Sequence, residues 1–170
     1  RDSFPIQDLA FRTILMFESR LEKRNITLEG LDSEPVQVWG DPDLIGQVIY
    51  NLFENATKFV NTGGTITFTF KDEPNNTSIA IRNTGAGISK EELPKIFERF
   101  YKSDDSRSHD KTGLGIGLDI TKHIVRLHKA QISVSSEEGE YTEFLIRLPK
   151  KDAPAESPTE NPEKQPKDAR

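Results

Sequence analysis

The sequence contains no cysteine. That excludes a disulfide framework, a thiolate zinc site and a cysteine nucleophile together, and it fits a reducing compartment. No apolar run approaches the roughly 20 residues that a membrane-spanning helix needs. Nothing near the start combines the basic and apolar regions of a secretory signal. Positive charge is not in excess either: the net charge is −5, so no global field draws in nucleic acid. The phosphate-binding pattern G-x-x-x-x-G-K-[ST] does not occur, which excludes a P-loop. Gly113-Leu114-Gly115-Ile116-Gly117 has its third glycine one residue too early for a dinucleotide fingerprint, and it follows no strand of a βαβ unit.

What is present is enough for one domain: 170 residues give one real core and too little chain for two. Arg1 to Ile6 read as the cut end of a longer protein, since Arg1 is not an initiator methionine. Ile14, Phe17 and Leu21 repeat at helical spacing, which predicts one helix over Asp8–Arg24. Ile26–Leu31 and Val36–Trp39 read as short strands. Asp41-Pro42 supplies an N-cap and a proline at the first helical position, predicting a helix to about Phe59. Strands at Thr65–Lys71 and Ser78–Arg82 form a hairpin. Ser89 and Glu92 have the spacing of a capping box for a short helix. Lys102–Gly113 reads as a mobile loop, Gly115–Lys129 as a helix, and Gln131–Ser135 and Thr142–Leu148 as the last strands. Residues 1–149 therefore make the domain, and 150–170, polar and without periodicity, a disordered tail. The expected fold class is α/β (α+β): a two-layer sandwich with a mixed, roughly five-stranded sheet and three main helices on one face.

Within the Asp41–Phe59 helix, Asn51, Asn55 and Lys58 fall at i, i+4 and i+7 and share one narrow face. Ile45, Val48, Ile49, Leu52, Ala56 and Phe59 cover the adjoining arc and are expected to pack on the sheet. The stripe thus lies at the edge of the buried face. An asparagine carbonyl is the kind of hard oxygen that Mg²⁺ takes, and it adds no negative charge beside phosphate. A lysine one turn on supplies a point charge for that phosphate. An ordinary solvated edge is the alternative for this stripe taken alone.

Three glycines within five residues at a helix start, Gly113, Gly115 and Gly117, leave backbone N–H groups free to meet an anion where the helix dipole favours one. A flexible hinge with an N-terminal cap is the competing account. The earlier loop, Asn83 to Ile88, leaves the end of a strand. A polar side chain there, followed by Gly85 and Gly87, could suit the edge of a base, but this segment taken alone is better explained as a tight turn.

Taken together and in order, these segments resemble the ATP-binding catalytic domain of sensor histidine kinases, a branch of the Bergerat-fold superfamily. Asn51-Leu-Phe-Glu-Asn55-Ala-Thr-Lys58-Phe59 is similar to that family's N box, Asn83–Ile88 to its G1 box, Phe97–Tyr101 to its F box and Thr112–Leu118 to its G2 box. Tyr141-Thr142-Glu143-Phe144 stands where a G-x-G-T-x-F motif usually occurs, with Tyr141 in a glycine's place. The resemblance runs from about Phe4 to Pro149. It implies ATP and Mg²⁺, with Asn55 on the metal, Lys58 on phosphate, Phe59 against adenine and Asn51 orienting the reacting group. Asn83 takes the place of the usual aspartate as acceptor from the adenine amino group, a neutral and weaker acceptor. The remaining contacts it implies come from Gly85, Gly87, Ile88, Tyr101, Lys102, Lys111, Thr112, Gly113, Leu114, Gly115, Gly117, Leu118 and Thr142. Lys102, Arg107 and Lys111 lie on a loop placed to close over the triphosphate, while Phe97 and Phe100 read as core.

His109, His123 and His128 are the only histidines. None has the sequence context of the family's phosphoacceptor, and all three are expected to face solvent or cap helices. The resemblance therefore implies a histidine kinase whose acceptor lies on a dimerisation domain outside this chain. A response regulator would be an indirect partner, the isolated domain a monomer, and the parent a homodimer with this part on the cytoplasmic side of a membrane-anchored sensor. Asparagine at position 51, where ATPases of the same fold carry a water-activating glutamate, argues against hydrolysis as the purpose. An anti-sigma-type serine kinase and a nucleotide-poor docking domain are the other readings.

Overall fold

The computed structural model describes residues 1–97 and 116–154. In chain order the elements are β1 (Asp2–Pro5), α1 (Ile6–Met16), α2 (Glu18–Lys23), β2 (Thr27–Glu29), β3 (Gln37–Gly40), α3 (Pro42–Phe59), β4 (Thr65–Asp72), β5 (Asn76–Thr84), a 3-10 turn (Leu93–Lys95), α4 (Ile116–Leu127), β6 (Gln131–Glu137) and β7 (Tyr141–Pro149). Five strands form one mixed sheet in the order β2-β4-β5-β7-β6. The β2–β4 pair is parallel and the other three pairs are antiparallel. A separate antiparallel pair joins β1 to β3, so the residues read as a cut end are ordered as a strand.

The sheet is apolar on the face toward the helices. Cross-strand rows run Phe68, Ile81, Phe144 and Phe70, Ile79, Ile146, and α3 lies over them with α1 and α4 beside it. Phe53 of α3 is fully buried and its ring stacks on Phe68 at 5.6 Å. A side chain so buried contributes about 2 kcal/mol by removal of apolar area from water. On α3 the buried set is Ile45, Val48, Ile49, Asn51, Leu52, Phe53, Ala56 and Thr57. Phe59 differs from expectation: it is 38% exposed and does not pack on the sheet.

The single helix expected over Asp8–Arg24 is two. At Phe17 the backbone turns (φ −110°, ψ 6°), and the Phe17 N–H reaches only back to Ile14 O, at 3.0 Å. The ring goes inward instead, 5.4 Å from both Tyr50 and Phe53. No glycine or proline marks this break, because core packing makes it. The helix expected after Ser89 is likewise a 3-10 turn only, although Ser89 Oγ does accept the Glu92 N–H at 3.3 Å.

His128 corrects the expectation for the histidines. His123 is exposed, but His128 is only 4% exposed. Its Nδ1 lies 2.9 Å from Ile124 O, and its Nε2 accepts the Asp41 N–H at 3.1 Å. With Nε2 as acceptor, Nδ1 is the nitrogen placed to donate to the Ile124 carbonyl. The imidazole lies so close over Gly40 that a Cβ there would stand 2.9 Å from its Cδ2. The end of α4 thereby holds the start of α3.

That start is a full N-cap: Asp41 Oδ1 accepts the N–H groups of Asp43 (3.0 Å) and Leu44 (3.1 Å), with Pro42 next. The Leu44 N–H chiefly, against partial desolvation and helped by the Asp43 N–H, holds the carboxyl below its ordinary value of 3.8. A depressed carboxylate stabilises the fold above its unfolded value, and the contribution disappears as pH falls through the folded one. Asp41→Ala should therefore lower the urea midpoint at pH 7. The gap to wild type should shrink as the pH is taken below 3.8; a gap independent of pH would place the effect elsewhere than in the charged cap.

Candidate active site

The asparagine stripe of α3 does not act as one unit. Asn51 is buried, and both ends of its amide are engaged: Oδ1 accepts from Gln47 Nε2 at 2.8 Å, and Nδ2 donates to Thr121 Oγ1 at 3.2 Å. Thr121 is fully buried on α4, so this side chain ties the two helices together. Asn55, one turn on, is half-buried, and among the described residues its amide makes no hydrogen bond. Lys58 Nζ lies 3.7 Å from Glu54 Oε1 on the same helix. A partly exposed i,i+4 pair of this kind holds about 0.3–0.5 kcal/mol. Glu54, given no catalytic role from sequence, is this lysine's partner.

The glycine-containing loop is pinned on two sides. Gly85, at φ +148°, is bridged to Val60, and a Cβ there would collide with the Phe59 carbonyl oxygen. Its own N–H donates to Glu140 O at 3.2 Å, and the Gly139 N–H donates to Ala86 O at 2.6 Å. Gly87 has φ +71°. The half-buried Ile88 closes the loop by donating its N–H to Ser136 Oγ at 2.7 Å. The loop backbone therefore runs between the last turn of α3 and the β6–β7 turn.

Below it, the apolar rows of the sheet end in a polar one. Asn83 stands between Ile66 and Thr142 in register, and both polar side chains are buried, at 5% and 6% exposure. Asn83 Nδ2 donates to Thr84 O at 3.0 Å, so its Oδ1 is the acceptor left over. Thr142 Oγ1 lies 3.3 Å from Ser136 Oγ, whose hydrogen goes to Tyr141 O at 2.6 Å. A row of polar groups where Ile and Phe stand one step earlier is the mark of a wet or ligand-facing end of the sheet.

Asn55, Phe59, Gly85, Gly87, Ile88, Asn83 and Thr142 are thus connected through the end of α3 and the strand ends it covers. Leu118 is half-buried against the core, and Gly117 lies in the first turn of α4. Tyr101, Lys102, Lys111, Thr112, Gly113, Leu114 and Gly115 lie outside the described residues, as do Phe100, Arg107 and His109. Phe97, expected in the core, is partly buried and meets Phe144 edge-on at 6.2 Å. The sequence reading did not single out Thr121, Ser136, Arg20 or Arg24. Thr121 shares the inner face of α4 with Ile124, Val125 and His128 and was open to a periodicity argument. Ser136 and the arginines had no local signal.

A sheet covered by helices on one side, with a half-buried amide and polar acceptors at one end, is an arrangement that suits a nucleotide-binding domain. A family model for histidine kinase-, DNA gyrase B-, and HSP90-like ATPases matches residues 40–152. The chain belongs to that family, on its histidine-kinase side. It is 41% identical to the sensor protein SrrB of Staphylococcus aureus over 115 residues, 67% of this chain and 20% of SrrB. The chain therefore spans about a fifth of the length of the curated relatives it matches. Among solved structures it is similar to the catalytic domain of the histidine kinase ThkA in a nucleotide-free form (TM-score 0.75, 28% identity, 88% of this chain and 97% of that one). It is similar also to ThkA in complex with the response regulator protein TrrA (TM-score 0.72, 26% identity, 88% and 41%). The mycobacterial sensor histidine kinase MprB matches at TM-score 0.68 and 25% identity, over 87% and 96%. The expected fold class is thereby met, as is the family read from the boxes.

Gly85→Ala tests the packing at this end. The Cβ has nowhere to go without parting the loop from α3. The variant should lose about 2–3 kcal/mol of unfolding free energy in urea titration; a loss within a few tenths of wild type would show that the loop sits free of Phe59.

Proposed function

We propose that this chain is the kinase domain of a two-component sensor, transferring the γ-phosphate of Mg-ATP to a histidine on a dimerisation domain not included in it. The observation that carries this reading is position 51. In an ATPase of this fold a glutamate there activates water. Here the residue is an amide, buried and hydrogen-bonded at both ends, and it has no proton-accepting carboxylate to offer. Without a base for water, the productive acceptor is one that brings its own lone pair, such as a neutral imidazole. The likeness to the catalytic domain of ThkA supports the same assignment.

ATP is the family's nucleotide, and the divalent ion is part of the proposal. Among the described residues no three His, Cys, Asp or Glu side chains converge on a metal position. An ion held by few protein oxygens and completed by phosphate and water is the arrangement Mg²⁺ favours. The half-buried Asn55, whose Oδ1 no described residue uses, fits that requirement. Bound there, Mg²⁺ would neutralise charge developing on the phosphates. The rest falls to the chain. Asn83 Oδ1, left over as an acceptor while Nδ2 donates to Thr84 O, accepts from the adenine amino group. Thr142 adds a hydroxyl in the adjoining register position, and Phe59 offers an exposed ring face beside the loop. Lys58 leaves its weak pair with Glu54 for phosphate. Transfer then forms the N–P bond to the acceptor imidazole and breaks the bond from the γ-phosphorus to the β–γ bridging oxygen, so that ADP leaves. The protein's contribution is position and charge.

In the parent we place this domain on the cytoplasmic side of a membrane sensor that acts as a homodimer, with a response regulator receiving the phosphoryl group from the histidine. Among the described residues no helix is long and apolar enough to cross a membrane.

Calorimetric titration with a non-hydrolysable ATP analogue, with and without Mg²⁺, tests this. The wild type should bind with a Mg²⁺-dependent gain that Asn55→Ala lacks. Asn83→Ala should weaken binding about tenfold, the worth of one lost hydrogen bond in a site that leaves its partner unpaired. No heat at millimolar nucleotide would overturn the reading in favour of a docking domain.

A further inference from the structure

We propose that Arg24 is a positioning residue for the nucleotide site, an inference that rests on the nucleotide-binding reading. The last carbonyls of a helix have no N–H partner within it and form the negative end of its dipole. In α3 that last turn also carries Asn55, Lys58 and Phe59. Arg24, just after α2, donates from Nη1 to Thr57 O and from Nη2 to Val60 O. One carbonyl lies inside the helix and the other just beyond it, so a single planar guanidinium spans the point where the helix ends.

The arginine is itself held. Its N–H donates to Arg20 O at 3.3 Å, and its own carbonyl accepts the Gly63 N–H at 2.8 Å. It therefore grips the chain on both sides of the turn between α3 and β4. Arg20 strengthens the grip: Nη1 donates to Thr57 Oγ1 at 3.1 Å, and the guanidinium lies 5.2 Å from the centroid of the Phe17 ring. Thr57 in turn donates to Glu54 O at 2.8 Å. Among the described residues neither arginine has a carboxylate partner, so both charges are directed at the end of α3.

The route from this clamp to the site is short. Val60, gripped through its carbonyl, is the residue bridged to Gly85, and Gly85 leaves no room for a Cβ beside Phe59 O. Releasing Val60 O therefore frees the glycine-containing loop and the last turn of α3 relative to each other. Asn55 and Asn83 lie on opposite sides of that joint. A lysine cannot replace the function in full, because one ammonium is a point charge and does not set the spacing of two carbonyls.

The full 170-residue chain should be titrated with a non-hydrolysable ATP analogue and Mg²⁺ as wild type, Arg24→Ala, Arg24→Lys and Phe68→Leu. The last is a core control with no part in the site. Amide NMR spectra without nucleotide would follow the Asn55 side chain and Gly85. Arg24→Ala should bind about tenfold more weakly, within the usual range of coupling between linked positions. Arg24→Lys should recover thermal stability more than affinity. The control should lose thermal stability and keep its affinity. The Asn55 and Gly85 signals should move in the Arg24 variants alone. Should Arg24→Ala not fold, Arg24→Lys against the control carries the comparison. Wild-type affinity in the Arg24 variants, or an equal loss in the control, overturns the inference and leaves the nucleotide reading intact. A wild type that binds no nucleotide removes both.

Discussion

Helix α3 has to bury one flank against an apolar sheet while presenting amides and a lysine at the border of that flank, and the rest of the molecule is arranged around this constraint. Phe53 and Leu52 anchor it on the strands. His128 and the Asp41 cap hold its beginning, Asn51 holds its middle to Thr121, and two arginines hold its end. A helix tethered at three levels has little freedom to slide or turn. The Cα–Cβ direction of the half-buried Asn55 is therefore fixed, although among the described residues its amide makes no hydrogen bond. Polar side chains that would cost free energy in an unpaired burial are instead spent on joints between elements.

The polar end of the sheet follows from the same arrangement. The last step along the strands toward residue 83 exchanges Ile81 and Phe144 for Asn83 and Thr142. The Asn83–Ile88 loop is fastened to α3 on one side and to the β6–β7 turn on the other. Glycine at position 85 is demanded by that closeness to Phe59.

Much of this was legible in the residues. The 3.6-residue period of α3, its Asp-Pro start and the twofold alternation of β4, β5 and β7 placed the helix and strands within a few residues of their observed ends. The boxes then pointed to the family, and the site residues they imply remain part of the proposal. What escaped was set by contacts distant in sequence. The break at Phe17 comes from rings 33 and 36 positions further on, Tyr50 and Phe53. The β1–β3 pair involves residues that carry no alternation of their own. His128 looked like one more residue of a solvated helix end, yet it is buried by an interaction with the backbone at residue 41. The role of Asn51 as a tie between helices needed Thr121, 70 positions away. Periodicity reports the face a residue occupies, and cannot report the partner that waits there.

The position of β7 carries a consequence for synthesis on the ribosome. Among the described residues it is the last strand, yet it lies inside the sheet between β5 and β6, and β6 has no other described partner. As the chain emerges, α4 and β6 appear before the strand that can join them to the rest. The β2–β4–β5 portion must wait with an open edge. The domain can therefore close only after residues 141–149 have left the exit tunnel, and a stall or a premature stop a few codons earlier would strand a half-sheet with an unpaired, apolar-flanked rim. Such a rim is the kind of surface that chaperones shield and that otherwise pairs with neighbouring chains.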